Sequence, residues 1–443
     1  MLLTIEKLIY GGDGLSHLPA DASGRGKAVF VPFVLPGEKV EASVTEQKPG
    51  FARARVENLS ETSPHRIEPG CPYFQQCGGC HYQHIDYEQQ LEIKKQILRE
   101  TLRRTAKLEL PVEIRVHRSP PWNYRNRSRL QVETNPEFKI GYCKMRSHEV
   151  LPIELCPISS PLINRGIELV GQSGRAGKVP PGIREIEFFV NADDSRMLIE
   201  ISCSEGARRA AMRAWAEELC AAMPEIAGCA AFRQRLAARQ KREKLVVVGS
   251  DHITYKTGRF IYQVSAGAFF QINRHLTDEL VEIVTAGQGG ELALDLYAGA
   301  GLFSKALARD MHHIVSVEPS PVSSADLAYN LPSNGEAVQA TTEQYLAAAE
   351  NRGRLGKGTV LSPNIHTPGL AVVDPPRNGL GERVARMLAR LGAARVVYVS
   401  CDPATLARDL IVLLGRGYRV EQVHLVDLFP QTYHLESVVH LAQ

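Results

Sequence analysis

The chain has 443 residues, 44% of them hydrophobic, and its 52 Lys and Arg against 49 Asp and Glu leave a formal net charge of +3. That length predicts two or three domains with ordinary cores, and the apolar content excludes a disordered, solvating chain. No apolar run reaches the length of a membrane span and the start lacks a secretion-signal pattern, so a monomeric cytoplasmic protein is expected.

Residues 1–60 read as a small all-β unit. Gly11-Gly12-Asp13-Gly14 and Asp21-Ala22-Ser23-Gly24-Arg25-Gly26 are turn clusters. Lys27-Ala28-Val29-Phe30-Val31 reads as a strand, followed by the turn Leu35-Pro36-Gly37-Glu38 and by the alternating run Lys39-Val40-Glu41-Ala42-Ser43-Val44. Phe51-Ala52-Arg53-Ala54-Arg55-Val56 closes the set with two outward arginines. The pattern fits a five-stranded, OB-like barrel.

Residues 61–93 carry the next signal, Cys71-Pro72-Tyr73-Phe74-Gln75-Gln76-Cys77-Gly78-Gly79-Cys80. Three thiols in one short loop cannot all pair as disulfides, and nine cysteines in a large chain without a secretion signal argue against a disulfide framework. They suit one ion or cluster with a fourth ligand, for which Cys156 in Ile153-Glu154-Leu155-Cys156-Pro157 is the best candidate. Four thiolates suit an iron–sulfur cluster or zinc, and the spacing leaves both open.

Between Leu91 and Leu130 there are eleven Lys or Arg and four Asp or Glu. Part of this excess lies on an expected helix, Gln89 to Arg104, whose basic face can simply be solvated. Trp122-Asn123-Tyr124-Arg125-Asn126-Arg127-Ser128-Arg129 alternates basic residues after two aromatics, a combination that grips phosphates and stacks unpaired bases. RNA contact is therefore expected there. Residues 94–258 read as a central α+β unit, a sheet with helices on one side, from strand-like pieces at 185–190 and 197–201 and a helix at 207–222.

The last part, 259–443, reads as an open α/β sheet. Leu292-Ala293-Leu294-Asp295-Leu296 runs into Tyr297-Ala298-Gly299-Ala300-Gly301 and then a helix; glycines there let backbone approach a ligand closely. The strand His313-Ile314-Val315-Ser316-Val317 ends at Glu318, placed to accept from ribose hydroxyls. Leu370-Ala371-Val372-Val373 ends in the rigid tip Asp374-Pro375-Pro376-Arg377. Val396-Val397-Tyr398-Val399 delivers Cys401 to a strand's carboxyl end, where open α/β sheets hold their ligands.

Five segments in order carry a resemblance: Phe269-Phe270-Gln271-Ile272-Asn273, Asp295 to Gly301, Asp374 to Arg377, Ser400-Cys401-Asp402-Pro403-Ala404-Thr405-Leu406, and His434-Leu435-Glu436-Ser437-Val438. The C-terminal part resembles the RNA uracil-5-methyltransferases, which use S-adenosylmethionine to form 5-methyluridine. The resemblance implies a Rossmann-like methyltransferase domain, Cys401 as nucleophile, Glu436 as base, and Gln271, Tyr297, Glu318 and Asp374 as cofactor-binding residues. It implies a 4Fe-4S cluster on Cys71, Cys77, Cys80 and Cys156, and it makes the barrel similar to the TRAM domain, an RNA-binding module. RNA is the implied partner, with 23S rRNA expected and tRNA the alternative. Asp402 departs from the family, which usually has asparagine after the cysteine; a carboxylate there raises the thiol's pKa unless it is turned away. The compact stretch from Pro319 to Thr342 is a second departure.

The chemistry accounts for these residue types. Uracil C5 is a poor nucleophile until a thiolate adds to C6 and puts negative charge on C5; after methylation a base must remove the C5 proton. Two readings of other classes compete: a radical methylthiotransferase-type enzyme, and a non-catalytic RNA-binding protein with a degenerate methyltransferase domain. The first uses a Cys-x3-Cys-x2-Cys loop, which this chain lacks. Intact Cys401, Glu436 and Gln271 argue against the second.

Overall fold

A computed structural model describes residues 1–18, 26–234, 242–352 and 367–443. Of the turn cluster at 21–26, only Gly26 belongs to the described residues. Among the described residues, no helix is long and apolar enough to cross a membrane.

The N-terminal unit is a curled six-stranded sheet, one strand more than expected. The difference lies in the first strand, which breaks at Ile5–Glu6. Leu2–Thr4 pairs with Lys39–Gln47, and Lys7–Leu8 pairs with Asp13–His17, so one broken strand joins the two ends of the sheet. Alternate residues of the strands turn inward, and Val29, Val31, Val40, Ala52 and Ala54 form its core. Of the two outward arginines, Arg53 pairs with Asp13 at 2.8 Å and Arg55 with Glu57 at 3.0 Å. The fully buried Glu38 accepts from Arg66 Nε at 2.6 Å and Nη2 at 2.7 Å, tying this unit to the cysteine segment.

The central sheet has seven strands, in the order Val150–Pro152, Lys139–Cys143, Arg127–Glu133, Ile183–Val190, Met197–Cys203, Ile226–Gln234, Arg242–Gly249. Strand alternation divides its residues between two cores. Phe188, Ile199 and Ile201 face the helices Pro161–Arg175 and Arg209–Ala222. Phe189, Leu198, Ala230 and Phe232 face the hairpin of His252–Lys256 and Ile261–Ser265. A boundary at 258/259 thus falls inside a hairpin that packs on both units.

The third sheet has eight strands, ordered Gly335–Val338, Met311–Val317, Gly290–Leu296, Leu370–Val373, Arg395–Ser400, Glu436–Ala442, Arg419–Val426, Ile114–His117. Glu436–Ala442 runs antiparallel to both of its neighbours; the other pairings are parallel. One face packs Leu294, Val373 and Tyr398 against helices Gly381–Leu391 and Pro403–Leu414, and the other packs Ala293, Val372 and Val397 against helices Thr277–Thr285 and Leu302–Leu307.

The boundary expected at Lys94 does not hold. Residue 94 lies inside the helix Tyr87–Thr105, whose Leu98 and Leu102 join the core of the third sheet, and the strand Ile114–His117 forms that sheet's edge. Asp86 caps the helix by accepting from Gln89 N at 2.9 Å. Two of its basic residues are held by acids: Lys94 is fully buried with Asp427 at 2.6 Å, and Lys95 pairs with Glu113 at 3.1 Å.

The Trp122–Arg129 segment is also not the exposed RNA grip expected from its pattern. Tyr124 is 1% exposed and donates to Pro430 O at 3.0 Å, so it cannot stack on a base. Arg127 lies over the Phe189 ring and donates to Ala268 O at 2.6 Å, and Arg129 pairs with Glu187 at 2.7 Å. The contacts with Phe189 and Glu187 are cross-strand pairs within the sheet.

Candidate active site and thiol cavity

The carboxyl ends of Gly290–Leu296, Leu370–Val373 and Arg395–Ser400 converge on one crevice. The first continues into the glycine turn, where Tyr297 has φ 78°, Gly299 φ 55° and Gly301 φ 91°. Three left-handed residues in five make this turn tight; at Gly301 the φ of 91° disfavours any side chain, and a Cβ there would also press on Leu327 Cδ1 at 2.9 Å. Glu318 stands beside it, its Oε2 accepting from Gly299 N at 3.0 Å and its Oε1 from Ser320 N at 2.7 Å. A carboxylate offers about four lone-pair sites, so these two bonds leave room for a ribose. In the Pro319–Thr342 stretch, Ser323 Oγ accepts from Phe269 N at 3.3 Å, bringing the exposed Phe269 ring close to Gly299.

Gln271 and Asp374 meet directly, Gln271 Nε2 donating to Asp374 Oδ2 at 3.4 Å. The Asp374 tip is latched to the helix after Cys401. Thr405 Oγ1 donates to Arg377 O at 3.1 Å, Arg408 Nη2 to Asn378 O at 2.7 Å, and Leu380 N to the buried Asp409 at 2.7 Å. Burial and the charge of Asp295 push Asp374 up to about 7. Burial does the same to Asp295, which accepts from Ser304 Oγ.

Cys401 and Glu436 are brought together by strand register. Ser400 pairs with Ser437 in the antiparallel ladder, so the residues that flank them, 401 and 436, lie at the same end. Glu436 is 4% exposed and its Oε1 has no hydrogen-bond partner. Burial and Asp374 hold its carboxyl well above the ordinary range, while Arg377 opposes them. The half-buried Cys401 thiol is pushed up to about 12, first by burial and then by Glu436 and Asp374, with Arg377 again opposing. Asp402 contributes least, because its carboxylate is turned into the helix: Oδ1 accepts from Ala404 N at 2.9 Å and Thr405 N at 3.0 Å as an N-cap.

A thiol at about 12 leaves about one molecule in 10^5 as thiolate at pH 7. Alkylation of Cys401 by iodoacetamide in the substrate-free protein should therefore be slow at pH 7 and rise about tenfold per pH unit through pH 9. Peptide mass spectrometry resolves this thiol from the other eight. A rate that levels off by pH 8 would mean that the thiolate is already formed.

One neighbour had no signal in the sequence, and another stood in the fifth motif with no role assigned. Tyr10, from the N-terminal unit, donates to Cys401 O at 3.1 Å across 391 residues and meets Tyr433 edge-on at 5.5 Å. His434 accepts from Arg377 Nη2 at 3.2 Å in its neutral state, its pKa lowered to about 3 by burial and by Arg377.

Far from this crevice in sequence, Cys71, Cys77, Cys80 and Cys156 line one cavity of about 80 Å³ with Gln83, Arg125 and Tyr142. Burial raises the Cys77 thiol to about 11 and also raises Cys71 and Cys80. Among the described residues, no three His, Cys, Asp or Glu side chains draw close enough to hold a single metal ion.

The tRNA (uracil-5-)-methyltransferase family matches residues 86–443 and the TRAM domain residues 1–56. A protein of Aquifex aeolicus named as an uncharacterised RNA methyltransferase is 33% identical over 442 residues, covering 99% of this chain and 97% of that protein. One of Halalkalibacterium halodurans with a similar name is 31% identical over 462 residues, covering 99% and 96%. The crystal structure of Pyrococcus abyssi tRNA (uracil-54, C5)-methyltransferase with S-adenosyl-L-homocysteine superposes with TM-score 0.73 at 23% identity over 100% of both chains, a likeness of fold. The match from residue 86 onward takes in the helix and edge strand that complete the third sheet. With a TRAM domain at its N-terminus, the chain belongs to the tRNA (uracil-5-)-methyltransferase family.

Proposed function

We propose that this enzyme methylates C5 of a uridine in RNA through a covalent adduct between Cys401 and uracil C6. The observation that carries this reading is the pairing of a half-buried thiol with a buried, unpartnered carboxyl at one strand end, beside the Gln271–Asp374 pair. The Cys401 thiol gives up its proton to solvent, the thiolate adds to C6, and the C5=C6 electrons move onto C5 and O4. S-adenosylmethionine supplies the methyl group that C5 takes up, and Tyr297, Glu318, Gln271 and Asp374 are the residues we assign to holding it. Glu436 then removes the C5 proton. The C6–S bond breaks, the thiolate leaves and aromaticity returns. An apolar setting that raises Glu436 makes it a stronger base once ionised, as this last transfer needs.

We assign a 4Fe-4S cluster to Cys71, Cys77, Cys80 and Cys156. Among the described residues, four thiols line the cavity with no His, Asp or Glu, a donor set that both an iron–sulfur cluster and zinc accept; the resemblance to the family favours iron. Cys71, Cys77 and Cys80 from one loop and Cys156 from another would hold the cluster, which would link the two loops. The protein acts as a cytoplasmic monomer, and 23S rRNA is the substrate we favour; the family's name makes tRNA the second reading.

Tritium release from RNA labelled at uracil C5 tests the reaction. Release that depends on S-adenosylmethionine is expected, and its absence from both rRNA and tRNA would overturn the assignment. Mapping 5-methyluridine in the rRNA and tRNA of a deletion strain separates the two substrates.

A further inference from the structure

The thiol cavity holds a charge that the cysteines alone do not explain. Arg125 lines it, and no Asp or Glu is among the described residues that do so. Arg125 Nε and Gln83 Oε1 are buried without hydrogen-bond partners. Leaving such groups unpaired in a dry interior is costly, and a guanidinium cannot shed its proton to escape the cost. The cavity's other polar groups point the same way. Gly79 N donates to Cys77 Sγ at 3.4 Å, and Gln83 lines the cavity beside the thiols.

The backbone delivers this charge rigidly. Arg125 N donates to Ile158 O at 2.9 Å and Ser160 N donates to Arg125 O at 2.9 Å, which fixes Arg125 against the Cys156 loop. On its other side Arg125 bridges to Asn273, and Asn126 N donates to Ile272 O at 3.0 Å.

Resting on the cluster assigned above, we propose that Arg125 is the counter-cation of the thiolate-bound cluster and holds its reduction potential up. Four thiolates give the cluster a net negative charge, and one added electron increases it. A fixed positive charge against the thiols favours the more negative, reduced state.

The test uses full-length wild type, Arg125→Gln and Arg125→Lys, purified anaerobically. Iron and sulfide are counted, and the midpoint potential is read by electron paramagnetic resonance during a mediated titration in which dithionite donates the electron. Wild type should be brown, with about four irons per chain. Arg125→Gln should titrate at a more negative potential and lose iron faster to a chelator, and Arg125→Lys should recover most of the shift. A loaded Arg125→Gln protein with the wild-type midpoint would overturn the inference while leaving the cluster in place. Iron-free wild type would overturn the cluster and the inference together.

Discussion

Replacing Cys401 with alanine is expected to abolish methylation, and replacing Glu436 with glutamine to leave a protein–RNA adduct that survives denaturant. The asymmetry follows from the order of bonds. Without the thiol no negative charge develops at C5, so nothing attacks the methyl donor. Without the carboxylate, addition and methyl transfer still occur but the C5 proton stays, and the C6–S bond cannot break. The adduct should carry the new methyl group and should vanish in the Cys401→Ala/Glu436→Gln double variant. Glutamine fills the same buried volume and removes only the ionisable oxygen, so loss of packing does not cloud the result. Turnover of Glu436→Gln at the wild-type rate with no adduct would move the base elsewhere, and an active Cys401→Ala would end the covalent mechanism.

The second large effect is on stability. Lys94 Nζ donates to Asp427 Oδ1 at 2.6 Å and to Phe429 O at 2.9 Å, and both charged side chains are fully buried. Burial depresses the Lys94 pKa despite the attraction of Asp427, so desolvation outweighs the pairing. Lys94→Met should therefore cost about 3–5 kcal/mol, because it strands the Asp427 carboxylate without its cation. Lys94→Met with Asp427→Asn should recover more than half of that, since the amide still accepts from Tyr87 Oη and carries no charge. Urea unfolding of the three proteins measures both numbers. A loss below about 1 kcal/mol in the single variant would mean that water reaches the pair. The same loop leads to Glu436, so the single variant should also slow methylation.

The active-site strands were legible because their signal is local. An apolar run followed by Asp374-Pro375-Pro376-Arg377 or by Cys401 and a capped helix declares its own ends, and the structure brings these tips to one crevice. The N-terminal unit was legible by alternation, apart from a first strand too broken to count. What the sequence hid is what distant partners decide. Arg127 and Arg129 alternate like a phosphate grip, yet Phe189 and Glu187 of the neighbouring strand claim them. Lys94 looks like one more solvated helix cation until Asp427 is found opposite it. Tyr10 carries no mark at all of its place behind Cys401.

The edge strand Ile114–His117 has a consequence for how the protein is made. It pairs with Arg419–Val426, and the helix before it closes on Asp427 across 333 residues. Emerging from the ribosome, the N-terminal unit can fold early, and the central sheet soon after. The helix Tyr87–Thr105 must keep its apolar face and a lone lysine unpartnered until the last strands are synthesised. Such long-range closure slows folding and prolongs exposure of aggregation-prone surface. Truncations within the last thirty or so residues should therefore yield chains held by chaperones or degraded, not a stable N-terminal half with a missing active site.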